Sequence, residues 1–299
     1  MDALVLAAGR GTRLRPLTNA TPKPALPVRH APMIRFALRA VGEAGATRVF
    51  INVHHAASAL VDLRPRLEAW VGCPVEFLRE ESLLGTAGTL AKLAPRVRSS
   101  ALLVVNGDVL LPPLLSPLVR AHAAEDSVAT MLVTTHARTE LARSVCVDGR
   151  RVVGVRVRGR TSAQTRRVVF CGAHVLSPAA LTGLPPRGDV VEEGYWRWLE
   201  AGRAVGIVET RAPWDDLGTI ARYAEGQLWP ADDFVDGPDV HPEADVPART
   251  RVGPVVAGPG SVALPGARLD QVVLMPGARA QGALRRGVVP AAGAPIAFS

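Results

Sequence analysis

The chain has 299 residues, of which 48% are hydrophobic and 21% charged, and its formal net charge is +8. This length allows one large or two medium domains, and the longest apolar runs are too short to cross a membrane. The basic residues are spread along the chain and are not interleaved with aromatics, which argues against a nucleic-acid-binding platform.

Cysteine usage and the N-terminus predict a cytoplasmic protein. Cys73, Cys146 and Cys171 are scattered and form no CxxC pair, which argues against a disulfide framework or a structural zinc. The N-terminus shows no charged head before an apolar segment, so we predict no secretory signal. We expect neither a nucleic acid nor a membrane as a partner.

The predicted elements alternate between strand and helix over the first hundred residues. In chain order they are strand Leu4–Ala7, helix Pro32–Val41, strand Arg48–Val53, helix Ala57–Trp70, strand Val75–Leu78, helix Thr86–Leu93 and strand Ala101–Val105. This alternation predicts βαβ units in a parallel sheet. Such a sheet binds ligands at the carboxyl ends of its strands.

The next hundred residues add strands that look more like antiparallel ribbons. The predicted elements are strand Ser127–Thr134, ribbons Arg151–Val157 and Arg167–Phe170, helix Trp196–Ala201 and strand Ala204–Glu209. We therefore predict an α/β fold for residues 1–228. It would have a Rossmann-like mixed, mostly parallel sheet flanked by helices.

The composition changes after Tyr223, where valine, glycine, proline and alanine become dominant. Val240, Val246 and Val252 recur every six residues, and so do two Pro-Gly pairs. One small aliphatic residue per six is typical of a β-helix with roughly eighteen residues per coil. A disordered Pro/Gly-rich tail is the alternative, and the regular valines argue against it. We predict a second domain at residues 229–299, a short left-handed β-helix that makes homo-oligomer contacts or covers the first domain.

The stretch LVLAAGRGTRLRPLTNATPKPALPV is a strand followed by a cation-rich loop without a carboxylate. Gly9 and Gly11 let the backbone approach a ligand closely. Their N–H groups, with that of Thr12, can form an anion-binding concavity. Arg13 and Lys23 add positive charge. Neither a Walker loop nor a complete GxGxxG motif is present, so the stretch predicts a phosphate-binding loop of another kind.

This stretch resembles the signature of the sugar nucleotidyltransferases, G-x-G-T-R-L followed by P-L-T and P-K-P. Three more stretches agree in order: GTAG at Gly85–Gly88, NGD at Asn106–Asp108 and WDDLGTIARY at Trp214–Tyr223. GTAG and the hexapeptide-like tail look most like mannose-1-phosphate guanylyltransferases. The resemblance covers nearly the whole chain. It implies an enzyme that joins a nucleoside triphosphate, here GTP, to a sugar 1-phosphate and releases pyrophosphate.

The resemblance implies four catalytic residues. Arg13 would grip the leaving pyrophosphate, and Lys23 would neutralise charge around the reacting phosphates. Asp108 and Asp216 would bind Mg²⁺, which prefers one or two carboxylates together with phosphates and water. The family pattern W-x-D-x-G-T assigns the metal ligand to Asp216 and puts Asp215 in the variable slot.

The resemblance also implies substrate-binding residues. The predicted nucleotide-binding residues are Leu6, Ala7, Ala8, Gly9, Gly11, Thr12, Glu80, Gly85, Thr86, Ala87 and Gly88. We expect the glycines of GTAG to let the backbone approach the base or the sugar. Two alternatives remain, a simple helix cap at Thr86 and a surface carboxylate at Glu80 or Glu81. Gly172 and Asn106 are predicted to bind the sugar.

The sugar side departs from the family pattern. Many relatives carry a Glu-Lys pair before the sugar-binding strand, whereas this chain reads RVRGRTSAQTRR there. Arg158 and Arg167 are candidates to replace the lysine. Asp189, Glu192 and Glu193 are candidates to contact sugar hydroxyls, although a solvated helix start explains them better.

Other functions remain open at this point. The first is uridylyl or thymidylyl transfer to a hexose or hexosamine 1-phosphate. The second is a regulatory relative without activity, although such relatives tend to lose one of the four catalytic residues. The third is an acyltransferase site in the tail, which the short tail disfavours.

Overall fold

The structure, a computed structural model, describes residues 1–111, 114–135, 144–155, 158–159, 164–228 and 237–298. The chain divides into two compact units. The first comprises Met1–Gly9 and Ile34–Asp216, and the second comprises Arg10–Met33 and Leu217–Ser299. We call Arg10–Met33 the signature segment, and we call residues 229–299 the tail. The division at residue 228 stays a prediction.

The secondary structure comprises short strands and helices. The strands are β1 Asp2–Leu6, β2 Pro27–Val28, β3 Ala31–Pro32, β4 Arg48–Val53, β5 Val75–Arg79, β6 Leu102–Asn106, β7 Ala129–Thr134, β8 Ser144–Asp148, β9 Arg151–Val155, β10 Arg158–Gly159, β11 Arg166–Leu176, β12 Val205–Thr210, β13 Val255–Ala257, β14 Val262–Ala263, β15 Arg268–Leu274, β16 Arg279–Ala280, β17 Ala283–Val289 and β18 Ile296–Ala297. The α-helices are α1 Ile34–Glu43, α2 Ser58–Val61, α3 Arg64–Val71, α4 Gly85–Leu93, α5 Ser116–Ala124, α6 Pro178–Leu181, α7 Arg197–Glu200 and α8 Ile220–Gln227. Short 3₁₀ helices lie at Thr12–Leu14, Lys23–Ala25, Ala94–Arg96 and Ala248–Thr250, and a π-helix lies at Val191–Trp196. Within the described ranges, none of the helices has the length and apolar character that a membrane span requires.

A ten-stranded sheet forms the centre of the first unit. Its order is β10-β9-β12-β7-β11-β6-β1-β4-β5, and β8 pairs with β11 and β9. β1 is parallel to both β4 and β6, and β5 extends this parallel half. The βαβ prediction for the first hundred residues is therefore confirmed.

The prediction of a mixed, mostly parallel sheet is confirmed by strand direction, because only β9 and β11, both in the other half of the sheet, run against the remaining eight strands. β11 runs antiparallel to β6, β7 and β8, and β9 runs antiparallel to β8, β10 and β12. Only β7 and β12 form a parallel pair in this half, as far as the described strands go. Antiparallel neighbours such as β8 and β9 need only a tight turn between them, whereas parallel neighbours need a crossover.

Apolar strands from the middle of the sheet build the core of the first unit. Leu4, Phe50 and Val104 are fully buried on three neighbouring parallel strands. They belong to one cluster with Leu90 of α4. Strands that are covered on both faces read as continuous apolar runs, which is why the sequence indicated them clearly.

The helices differ from the prediction in two ways. The predicted helix Ala57–Trp70 is split into α2 and α3, and Pro65 stands in the first turn of α3. Proline lacks an N–H donor and is tolerated only in a first turn, so the break falls just before it. α5 and α8 were not predicted, because with nine and eight residues each is too short to show a clear helical periodicity.

Strands β13 to β17 in the described part of the tail pair in parallel, whereas β18 runs antiparallel to β17. β13 pairs with β15, and β15 pairs with β17. Val255 lies opposite Val272 and Val262 lies opposite Arg279, so each of these pairs is 17 residues apart. Small aliphatic side chains fill the space between the strands: Val246, Val255, Ala257, Ala263, Ala267, Leu269, Val272, Leu274, Ala278, Ala280 and Val289. One of the repeated valines, Val252, instead points outward and is 68% exposed.

Candidate active site

The carboxyl end of β1 is fixed by its two neighbouring strands. Leu6 lies opposite Asn52 on β4 and opposite Asn106 on β6. The N–H of Ala7 donates to Oδ1 of Asn52 at 2.7 Å. Ala7 and Ala8 are buried, and the chain becomes exposed at Gly9. The small residues predicted to line the nucleotide therefore form a rigid end to β1.

Glu80 is a buried carboxylate that accepts several hydrogen bonds. The alternative of a surface carboxylate is therefore wrong for this residue. Its side chain is 4% exposed. Nδ2 of Asn52 donates to Glu80 Oε1 at 2.8 Å, and Oγ1 of Thr89 donates to the same oxygen at 2.6 Å. The N–H of Leu84 donates to the other carboxylate oxygen at 3.2 Å. These donors offset the cost of burying a charge. The neighbouring Glu81 is exposed.

Asn52 is the functional candidate that the sequence analysis missed. It connects the backbone of β1 with the Glu80 carboxylate, and it also donates to Thr89 at 3.2 Å. A polar residue inside the otherwise apolar strand RVFINV was the available signal, because buried polar groups in strands need specific partners.

The glycines of GTAG are required by the chain itself. A Cβ atom added at Gly85 would lie 2.3 Å from the carbonyl oxygen of Gly188, and one at Gly88 would lie 2.5 Å from that of Pro186. Gly85 also has a positive φ of 73°, which favours glycine. The close approach at these glycines is therefore made by the chain itself, and their approach to a ligand stays a prediction. They admit the segment around residues 186–188.

Thr86 and Ala87 bind the same segment. The N–H of Ala87 donates to the carbonyl oxygen of Gly188 at 2.9 Å. The hydroxyl of Thr86 accepts from the N–H of Val190 at 2.7 Å. α4 begins at Gly85 without a side-chain cap, so the simple helix cap at Thr86 is wrong.

A cavity of about 650 Å³ lies beside this segment in the first unit. It is lined by Arg79, Glu80, Glu81, Ser82, Leu84, Gly88, Ala91, Lys92, Leu184 and Pro186. Glu80 and Gly88 are predicted nucleotide-binding residues, so the cavity adjoins the predicted nucleotide site.

A β-bridge joins the two backbone segments that carry the predicted metal ligands. Leu110 and Asp215 form an antiparallel bridge, with N···O distances of 2.7 and 3.2 Å. Antiparallel pairing puts the residue after Asp215 beside the residues before Leu110, so Asp216 neighbours the segment that begins at Asp108. Asp216 is 1% exposed, and Asp108 is partly buried.

The donor set of this pair fits magnesium. No group of three or more His, Cys, Asp or Glu side chains in the described part of the chain is arranged to hold a metal. Asp108 and Asp216 therefore offer two carboxylates without a closed protein cage. Magnesium is typically held by one or two carboxylates together with substrate phosphates and water.

The two predicted sugar-binding residues face each other. Gly172 interrupts β11 with a φ of 79°, and a Cβ there would lie 3.1 Å from Nδ2 of Asn106. The β11–β7 register shifts at this point. The indole N–H of Trp214 donates to the carbonyl oxygen of Cys171 at 2.6 Å. Trp214 is thus anchored beside Gly172, so the predicted metal ligands and the predicted sugar-binding pair share one region of the first unit.

Three of the residues considered for the sugar side have other partners. Arg167 donates to Ser144 Oγ at 3.1 Å. Asp189 accepts from the N–H of Val191 at 2.7 Å, at the start of the π-helix. Glu193 lies within 3.8 Å of an arginine one turn later. The side chain of Arg158 lies outside the described residues.

His174 is buried near this region but has a structural role. Its Nδ1 shares a hydrogen bond with the hydroxyl of Tyr195. Burial lowers the pKa of His174 to about 3 and raises the pKa of Tyr195. At neutral pH the imidazole is uncharged and accepts a hydrogen bond from the phenol, so the pair links β11 to the π-helix.

The signature segment, in the second unit, is held in a compact turn. Thr18 Oγ1 donates to the carbonyl oxygen of Gly11 at 2.8 Å. Gly11 has a φ of 59°, and a Cβ there would lie 3.0 Å from Thr18 and 3.2 Å from Lys23. Thr12 begins a 3₁₀ helix in which Arg13 is exposed, whereas Lys23 is 6% exposed. Gly11 is therefore required by this turn.

The chain is similar to known nucleotidyltransferases. Residues 2–142 match the family model described as nucleotidyl transferase. A mannose-1-phosphate guanylyltransferase from Mycobacterium tuberculosis is 28% identical over 295 residues, covering 94% of this chain and 81% of that protein. The family model and this relative together indicate a sugar nucleotidyltransferase.

Solved structures share the mixed α/β fold of this transferase. A putative glucose-1-phosphate thymidylyltransferase from Bacillus anthracis has a TM-score of 0.65 at 20% identity, covering 76% of this chain and 94% of that chain. HddC from Yersinia pseudotuberculosis, complexed with GMP-PN, has a TM-score of 0.63 at 21% identity, covering 76% and 97%. At these identities the likeness establishes the fold.

Replacing Gly85 with alanine is expected to destabilise the transferase by about 3 kcal/mol or more. The substitution combines strain at positive φ, about 1–2 kcal/mol, with overpacking against Gly188, about 1–3 kcal/mol. Gly183→Ala is the matched control, because Gly183 has a φ of 77° but nothing within 4 Å of its added Cβ. Urea denaturation should give a smaller loss for the control. Equal losses would contradict the close-approach argument.

Proposed function

We propose that the transferase joins GTP and mannose 1-phosphate to give GDP-mannose and pyrophosphate. The observation that carries this proposal is the Leu110–Asp215 bridge, because it sets Asp216 beside the segment that begins at Asp108. Asn106 and Gly172 meet in the same region. The names of the mannose-1-phosphate guanylyltransferases among its relatives support the choice of base and sugar.

The reaction would be an in-line displacement at the α-phosphorus of the triphosphate. A phosphate oxygen of the sugar 1-phosphate forms the new P–O bond, and the bond to the bridging oxygen of the leaving pyrophosphate breaks. Little covalent help is needed, so positioning and charge neutralisation would carry the step. Asp108 and Asp216 would hold Mg²⁺, which neutralises phosphate charge and orients the reactants.

The remaining predicted residues receive roles from their chemistry. Arg13 offers a planar fork of donors, which suits the oxygens of pyrophosphate. Lys23 offers a compact point charge for the reacting phosphates. Leu6–Gly9, Gly11, Thr12, Glu80 and the GTAG segment would surround the nucleotide.

We also infer that the tail is a short left-handed β-helix. Parallel pairing at intervals of 17 residues and the core of small aliphatic side chains support this inference. Association of copies through the tail and a cytoplasmic location both stay predictions.

A substrate panel tests the proposed function. The purified protein with Mg²⁺ would be mixed with GTP, UTP, dTTP, CTP or ATP and with mannose, glucose, N-acetylglucosamine or heptose 1-phosphate. We expect the fastest pyrophosphate release with GTP and mannose 1-phosphate. Faster release with UTP or dTTP would replace the guanylyl assignment with uridylyl or thymidylyl transfer. If a folded protein releases no pyrophosphate with any substrate pair, the result would favour a regulatory relative without activity.

A further inference from the structure

The signature segment ends in a hairpin that fixes the backbone after Lys23. The N–H of Leu26 donates to the carbonyl oxygen of Lys23 at 3.0 Å, and the N–H of Met33 donates back to Leu26 at 2.9 Å. Between them β2 pairs with β3, and the turn is formed by Arg29 and His30. Any group that holds this turn therefore also restrains Lys23.

Arg29 is held on two sides within the second unit. Its side chain is 1% exposed and forms an ion pair with Asp239, a tail residue whose side chain is 61% exposed. It also donates to the carbonyl oxygen of Gly237 at 3.3 Å. The backbone N–H of Arg29 donates to Oε1 of Gln227 on α8 at 2.9 Å. Next to it, His30 Nε2 lies 2.6 Å from the carbonyl oxygen of Pro238.

α8 connects the hairpin with the strands of the tail. The hydroxyl of the fully buried Tyr223 donates to the carbonyl oxygen of Pro27 and contacts Met275 Sδ at 3.4 Å. Burial raises the pKa of Tyr223, so the phenol keeps the proton that it donates. On the same helix, Glu225 lies 3.9 Å from Arg286 of β17. The helix thus has polar partners in both elements.

We propose that the tail positions the signature segment for catalysis, through Arg29, Tyr223 and Gln227 as positioning residues. The tail would then act within its own chain, in addition to any contact between copies. The catalytic part of this inference rests on the proposed function, because it supposes that Lys23 acts on the reacting phosphates. The structural part, that the tail restrains the signature segment, does not depend on the proposed function.

The first test is hydrogen exchange on the full-length Asp239→Asn protein. The substitution keeps the shape of an exposed side chain and removes the charge that faces the buried Arg29. We expect the protected amides of Arg10–Met33 to exchange about three- to tenfold faster, as for the loss of one net hydrogen bond or ion pair. Tyr223→Phe, which removes the hydroxyl that donates to Pro27 and contacts Met275, should have the same effect. Amides of the central sheet should not change in either variant.

Two matched variants separate positioning from general loosening. Asp239→Glu keeps the carboxylate and should restore most of the protection. Asp270→Asn removes a carboxylate that pairs with Arg285 at 3.2 Å elsewhere in the tail, and it should leave the signature segment unchanged. Unchanged exchange over Arg10–Met33 in both Asp239→Asn and Tyr223→Phe would overturn the proposal. An equal increase in Asp270→Asn would overturn it as well.

Kinetics test the catalytic part. Misplacement of Lys23 should lower kcat by about tenfold or more, with a smaller change in KM, in Asp239→Asn and Tyr223→Phe. Faster exchange with an unchanged kcat would overturn the catalytic part. The exchange measurement needs no substrate. A protein that is inactive on every substrate pair would therefore count against the proposed function, and exchange would still decide whether the tail holds the segment.

Discussion

Replacing Asp216 with asparagine is expected to lower kcat about 10²- to 10³-fold, the scale seen when one charge-stabilising group is lost from an active site. Asparagine has nearly the same shape, so the 1% exposed site stays filled. What disappears is the negative charge that a magnesium ligand needs. The measurement is the rate of pyrophosphate release over a range of Mg²⁺ concentrations, and the variant should need more Mg²⁺ than the parent enzyme.

Asp215→Asn is the matched control for this prediction. The two aspartates are neighbours, and Asp215 joins the bridge to Leu110 through its backbone N–H and carbonyl groups, which the substitution leaves in place. Its kcat should remain close to that of the parent enzyme. Asp108→Asn should behave like Asp216→Asn, with the fold retained by circular dichroism. Near-normal turnover of Asp108→Asn or Asp216→Asn would remove that residue from the metal site.

Replacing Arg13 with alanine is expected to lower kcat by about 10²-fold, with a smaller effect on KM. The reason is that the guanidinium would act on charge that grows on the leaving pyrophosphate, so its effect is larger in the transition state than in the bound substrate. Arg13→Lys should recover only part of the rate, because lysine lacks the planar fork. Steady-state kinetics with the preferred substrate pair would measure both variants.

Arg249→Ala supplies the control for loss of one positive charge. Arg249 is an exposed arginine in the same unit of the chain, and its removal should leave both kinetic constants unchanged. The exposure of Arg13 predicts little change in stability for Arg13→Ala. If the kcat of Arg13→Ala equals that of the parent enzyme, the assignment of Arg13 to the leaving pyrophosphate is wrong.

The parallel half of the sheet could be predicted from the sequence because its strands are buried on both faces. Arg48–Val53 was predicted with the bounds that the structure has, since RVFINV is almost continuously apolar. Short helices were harder to predict. α8 carries Tyr223 and Gln227, yet its eight residues give too little periodicity to separate it from a loop.

The glycines show a different limit of sequence analysis. A glycine in GTAG indicates a close approach, but the sequence does not indicate what approaches. At Gly85 and Gly88 the neighbours are the backbone carbonyl groups of Gly188 and Pro186, about a hundred residues later in the chain. Such a contact depends on the path of the whole chain, which local spacing does not encode.

The sequence by itself determined the class of chemistry. The strand followed by a glycine- and arginine-rich loop indicated phosphate binding. The resemblance of the NGD and WDDLG stretches to the sugar nucleotidyltransferases implied a magnesium site. Only the tertiary structure decided that Glu80 is a buried, hydrogen-bonded carboxylate and that Asp216 lies beside the Asp108 segment. It also decided that the turn at Arg29 is held by an ion pair with a tail residue. Composition and motifs record which groups are available. Burial, bridging and ion pairing arise from contacts between residues far apart in sequence, so they exist only once the chain has folded.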